Sequence, residues 1–121
     1  FSIVLIAVAT ISGTGCNESQ NTCSIPNSFD NFDQAALILL DETQEFEVSE
    51  GLNTPESSFV SSIAYYSCDG VVGALEITLP TATYIYSGVP NYKWENFKTA
   101  DSKGTYYNAE IKGNYANVSN N

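Results

Sequence analysis

Apolar and polar positions divide the chain into three regimes. Residues 1–11, FSIVLIAVATI, form a nearly unbroken apolar run. That is short of the roughly 20 residues a membrane span needs, and it has the length of the apolar region of an export signal. Residues 17–24 are polar and read as a tether. Then Phe29, Phe32, Ala36 and Leu39 or Leu40 recur at helical spacing. Asn27 or Ser28 is placed to cap that helix, and Asp30 and Asp33 fall in its first turns, where the helix dipole favours acids. Leu37-Ile38-Leu39-Leu40 reads equally well as the start of a strand. Residues 44–48 alternate, with Phe46 and Val48 on one side, and predict a strand. Residues 51–55 are turn-rich and predict a link.

The second half carries a clearer β pattern. Residues 60–66 are apolar and aromatic, bounded by serines, and predict a strand. Asp69-Gly70 signals a turn. In residues 74–79, Leu75, Ile77 and Leu79 share one face while Glu76 and Thr78 take the other. Pro80-Thr81-Ala82 turns the chain, and residues 83–86 form a third strand of β-formers. Three strands joined by short turns make an antiparallel meander. Val89-Pro90 ends it. Residues 91–100 suit a helix with Tyr92, Trp94, Phe97 and Ala100 as its buried stripe. Ser102-Lys103-Gly104 breaks that helix, with Gly104 expected at positive φ. Residues 106–115 continue as extended chain or a short helical turn.

Charge sharpens the division. The 121 residues carry fourteen acids, four lysines and no His, for a formal net charge of −10. Nine of the acids and none of the lysines lie in residues 1–56; five acids and all four lysines lie beyond. Such a chain repels nucleic acid and anionic membranes at long range.

The apolar run gives way to Ser12-Gly13-Thr14-Gly15 and then Cys16. This resembles a bacterial lipoprotein signal, in which the Cys is lipidated and becomes the new N-terminus. A charged segment before Phe1 is then expected. The alternatives are a signal cleaved elsewhere and an uncleaved apolar anchor. Lipidation at Cys16 implies a protein held at the cell envelope, periplasmic or surface-exposed, with the membrane as its first partner. Two or more acyl chains hold a protein stably without a transmembrane helix. Cys23 and Cys68 then remain, either as a disulfide or as two thiols.

The C-terminal half resembles the KTSC domain, a module of about sixty residues named for the C-terminus of some lysyl-tRNA synthetases. The resemblance runs through Ser57-Ser58, Ala64-Tyr65, Leu75-Glu76-Ile77, Tyr84-Ile85-Tyr86, Val89-Pro90, residues 100–104 (ADSKG), Tyr107-Asn108 and residues 111–115 (IKGNY). Tyr66 stands where the family usually has Asp, and Pro80-Thr81-Ala82 replaces a glycine turn. The expected fold is α+β: a small antiparallel β-meander packed by one helix. A signal-like segment (1–16) and an acidic tether and extension (17–56) precede the domain (57–115), and a tail (116–121) follows.

Candidate chemistry is thin. Tyr84 and Tyr86 are two apart and share a sheet face. Facing outward, they would join Lys103, Tyr107 and Lys112 in a stacking and cationic surface of the kind used on single-stranded RNA. Facing inward, they would pack under the helix with their hydroxyls hydrogen-bonded, and that arrangement is favoured. Without His, nucleophilic catalysis lacks its usual base, and adjacent Ser102 and Lys103 are poorly placed to serve each other. Two cysteines and no His make too thin a set for zinc. Residues 30–41 lack the central Gly of a calcium loop. The sequence implies no catalytic residue, metal or cofactor. It predicts a tethered module binding a peptide, glycan or protein partner, with RNA binding as the alternative.

Overall fold

A computed structural model describes residues 22–121; the apolar run and Cys16 lie outside them. The described chain forms a five-stranded sheet: β1 (Val48–Asn53), β2 (Ser62–Ser67), β3 (Val72–Thr78), β4 (Thr83–Pro90) and β5 (Asn117–Ser119). Every neighbouring pair is antiparallel and the order across the sheet follows the chain. Helix α1 (Phe32–Leu39) precedes the sheet, and α2 (Asn91–Thr99) and α3 (Lys103–Tyr106) lie between β4 and β5. A π-helical turn, Tyr107–Ile111, continues α3. The predicted meander is present as β2, β3 and β4, and the predicted helix as α2. None of the described helices is long and apolar enough to cross a membrane.

Strand alternation builds two cores. On one face Ile63, Tyr65, Leu75, Ile77 and Tyr86 meet Trp94 and Phe97 of α2 and Tyr107 and Ile111 of the π-helical turn. Trp94 stacks on Tyr65 with ring centroids 5.6 Å apart. Its indole N–H donates to Glu50 at 2.6 Å, binding α2 to the edge strand β1. Lys98 reaches the same carboxylate at 2.8 Å. These two donors hold the Glu50 carboxyl below its ordinary range, Lys98 contributing most.

On the other face Ala74 and Ile85 pack with Phe29, Ala35 and Leu39. A single helix on one side was expected, with water or a partner on the other. Instead the acidic extension supplies its own apolar layer. Its helix is capped by Asn31, not Asn27 or Ser28: the Asn31 side chain accepts from Gln34 N at 2.8 Å. From Thr22 onward the expected tether belongs to the fold. Cys23 is joined to Cys68, with Cα atoms 5.6 Å apart. Thr22 Oγ1 donates to Thr43 O at 2.9 Å, and Ser24 exchanges two hydrogen bonds with the Gln44 side chain.

Three other expectations are corrected. Residues 51–53 continue β1 in register with β2, because pairing with Ile63 and Ala64 outweighs the turn propensity of Gly51 and Asn53. Tyr92 lies on the outer side of α2 and is exposed; the buried stripe is Trp94 and Phe97. Gly104 sits inside α3, and the glycines at positive φ are Gly70, Gly88 and Gly113. Gly73 answers a different need: a Cβ there would lie 2.1 Å from Tyr66 O, at a register shift between β3 and β4.

Glu76 points to the α1 side and is half-buried, with no hydrogen bond or ion pair among the described residues. Burial raises its carboxyl above the ordinary 4.5. A raised carboxyl binds its proton more tightly in the folded state. Its stability contribution is therefore full below the unfolded pKa and is lost as pH rises through the folded pKa. Glu76→Gln is expected to raise the urea midpoint at pH 7 and to leave it unchanged near pH 3. An equal midpoint at both pH values would contradict this.

Candidate functional site

Two loops 45 residues apart in sequence close on one cleft of about 370 Å³, lined by residues 56–59 and 101–105 with Asn108. The first wall is fixed from below. Thr54 is buried and donates its hydroxyl to Val60 O. Ser57 Oγ accepts from Val60 N at 2.9 Å and Phe59 N at 3.2 Å, holding the turn closed.

The second wall begins where α2 ends at Ala100, in extended backbone. Ser102 caps α3, accepting from Thr105 N at 3.2 Å and donating to Thr105 Oγ1 at 2.9 Å. Lys103 folds back under the wall. Its Nζ donates to Ala100 O at 2.7 Å and Lys98 O at 3.2 Å, and the residue is buried. It satisfies carbonyls that α2 leaves open at its C-terminus, where a cation is also favoured by the helix dipole. The Phe59 ring bridges the walls. It lies 3.5 Å from where a Gly104 Cβ would stand, and its centroid is 6.1 Å from that of Tyr107.

The rim is what a ligand would meet. Ser58, Asp101, Thr105 and Asn108 are exposed, as is much of Phe59. The side chains of Ser58 and Asn108 have no hydrogen-bond partner among the described residues. Glu56 and Asp101 are the charges at the mouth, and the ammonium of Lys103 is already taken. The cleft therefore presents hydroxyls, an amide and an aromatic ring, with no free cation for an anion. The sequence displayed Ser57-Ser58, Ser102-Lys103-Gly104 and Asn108 as separate motif pieces. Their convergence depends on the path of β2 through α2 and could not be read from spacing.

The set proposed as a stacking surface does not assemble on the outside. Tyr86 and Tyr107 are buried and share a hydroxyl–hydroxyl hydrogen bond of 2.6 Å. Burial is the largest cause raising both phenols above their ordinary range. Tyr84 is partly buried against the same core and stacks on Tyr86 at 6.4 Å. Lys103 caps α2. Lys112 alone of the five is exposed, at the end of the π-helical turn. The physical reason is that the face carrying Tyr86 is the one α2 and the π-helical turn cover. Nor do Ser102 and Lys103 form a nucleophile pair, since each is bonded elsewhere.

The buried tyrosine pair gives a direct test of that packing. Tyr107→Phe strands the Tyr86 hydroxyl and is expected to cost about 1–3 kcal/mol in chemical denaturation. Adding Tyr86→Phe removes the stranded group and should recover most of the loss. A double variant no more stable than the single one would refute the pairing.

Comparison with protein families matches residues 56–115 to the KTSC domain. The match begins and ends almost where the cleft-forming unit does; α1, β1 and β5 lie outside it. Among solved structures, a crystal structure of a KTSC domain protein from Yersinia pestis is similar at 34% identity and a TM-score of 0.50. The similarity covers 58% of this chain and 94% of that one. No curated protein matches the chain.

Proposed function

The chain belongs to the KTSC domain family, and from that premise we propose that it is a membrane-tethered, non-enzymatic binding module of the bacterial cell envelope. Cys16 carries the lipid, and the cleft between Ser58 and Asn108 holds a neutral polar segment of a peptide, glycan or protein partner. One observation carries the binding reading: three of the motif pieces, Ser57-Ser58, Ser102-Lys103-Gly104 and Asn108, meet in a single cleft whose rim leaves the Ser58 and Asn108 side chains uncommitted. Neutral hydroxyl and amide groups with one partly exposed ring suit a ligand with its own hydroxyls or amides and an apolar face. The disulfide is in keeping with an oxidising compartment.

RNA binding, the reading suggested by the lysyl-tRNA synthetase context of the family name, has less to draw on. Lys93 pairs with Glu110, Lys98 with Glu50 and Glu95, and Lys103 with backbone carbonyls. Only Lys112 is left uncommitted, and phosphate binding needs several cations together. Catalysis has less support: the chain has no His, the commonest general base, and the cleft hydroxyls of Ser57 and Ser102 are engaged with backbone N–H groups.

Three measurements test the proposal. Palmitate labelling in a bacterial host is expected for the full chain and absent in Cys16→Ser. Binding to arrayed envelope glycans and peptides should fall at least about fivefold in Ser58→Ala/Asn108→Ala, matching the loss of two hydrogen bonds at about 0.5–1.5 kcal/mol each. Salt-sensitive RNA binding lost on Lys112→Ala would overturn it in favour of the alternative.

A further inference from the structure

Helix α1 is apolar on two sides. Ala35 and Leu39 are buried on the sheet, while Leu37 and Leu40 are 75% and 72% exposed. With Ala36 these two line a shallow depression bordered by Asp33 and Asp41. A helix apolar on both sides is normally covered on both. The path of the chain indicates what covers this one. The chain enters the fold beside the end of α1, where Thr22 is bonded to Thr43, three residues past Leu40, and Cys23 is locked to Cys68. Gln44, which holds Ser24, also donates to Ile38 O at 3.3 Å in the last turn of α1. The six residues from Cys16 to Thr22 reach at most about 22 Å when fully extended.

We propose that Leu37 and Leu40 enter the interfacial region of the bilayer that holds the acyl chains of Cys16, so that the domain lies on the membrane with α1 down. This rests on the tethered reading above. The Thr22 and Cys23 anchorages shorten the spacer to six residues and start it beside the end of α1, so the patch stays close to the acylated Cys16. Two leucines add a second, weak apolar signal to a lipid anchor, the combination that makes attachment and orientation stable. Asp33 and Asp41 border the patch, so the lipid it suits is zwitterionic, not anionic. The α2 and α3 side, with its cleft, then faces away from the bilayer and stays open to a partner.

The test uses the full lipidated chain in vesicles of phosphatidylethanolamine and phosphatidylcholine with brominated acyl chains. An environment-sensitive probe is placed at Leu37→Cys or, as the opposite-face control, at exposed Tyr92→Cys. Both positions are exposed, so neither variant threatens folding. Quenching severalfold stronger at position 37 than at 92 is expected, and Leu40→Ser should reduce it. Lipidated chain with equal quenching at the two positions would overturn the orientation while leaving the tether intact. The same holds if a second copy shields position 37. A chain whose mass shows no acyl group would remove the tether, and this proposal with it.

Discussion

Trp94→Ala is expected to destabilise the protein by about 3–5 kcal/mol, the range for emptying a large aromatic site in a packed core. The ring is fully buried and stacked on Tyr65. Its loss would remove contacts to the sheet and also the N–H bond to Glu50 that fastens β1. Small domains have only about 5–15 kcal/mol in total, so a large fraction of the stability is at stake. Urea denaturation followed by far-UV circular dichroism would measure it, since Trp94 is the only tryptophan. Trp94→Phe should keep much of the packing and lose the hydrogen bond, costing less. Tyr92→Ala, two residues away on the exposed side of the same helix, is expected to change stability by no more than about 0.5 kcal/mol. Comparable losses at 92 and 94 would mean that α2 presents a different face to the sheet.

How much of this was legible in the sequence depended on whether the signal was local. Leu75, Ile77 and Leu79 alternate within one strand, and Trp94 and Phe97 recur within one helix, so the meander and α2 could be read directly. Gly51 and Asn53 look like turn residues, and their strand is imposed by β2 alongside. The role of α1 was hidden by charge. Its acids lie at the surface, and its two buried residues, Ala35 and Leu39, make a narrow stripe. The same narrowness left Leu37 and Leu40 outside.

Site residues were legible as types and illegible as places. Lys103 read as a solvated or ligand-facing cation because lysine is seldom buried. Its carbonyl partners at Lys98 and Ala100 are set by where α2 stops, an element boundary that sequence locates poorly. The alternation at Tyr84 and Tyr86 put them on one face. Only the return of the chain through Tyr107 decided that the face was inside. The cleft required two loops to meet, and neither loop has a periodicity that speaks of the other.

Opening the Cys23–Cys68 bond, by Cys23→Ser with Cys68→Ser, is expected to cost about 4 kcal/mol on the chain-entropy account for a loop of this length. The sequence separation is 45 residues, so the unlinked unfolded chain gains much freedom. The loss should not be spread evenly over the fold. The α1 layer rests on a small cluster, Phe29, Ala35 and Leu39 against Ala74 and Ile85, while α2 and the π-helical turn share eleven buried residues with the sheet. Local opening follows the weaker cluster. In the double variant, amide exchange in residues 22–46 should therefore accelerate far more than in β3, β4 and α2. A dye that binds exposed apolar surface should report the uncovered Ala74 and Ile85 face. Uniform acceleration across all elements would show that the extension and the sheet fold as one cooperative unit. Unchanged exchange throughout would show that apolar packing alone holds the extension. The first expected pattern has a functional consequence. The bond would then be the clip that keeps α1, and with it the Leu37 and Leu40 patch, in a fixed direction relative to the cleft on the opposite side of the sheet.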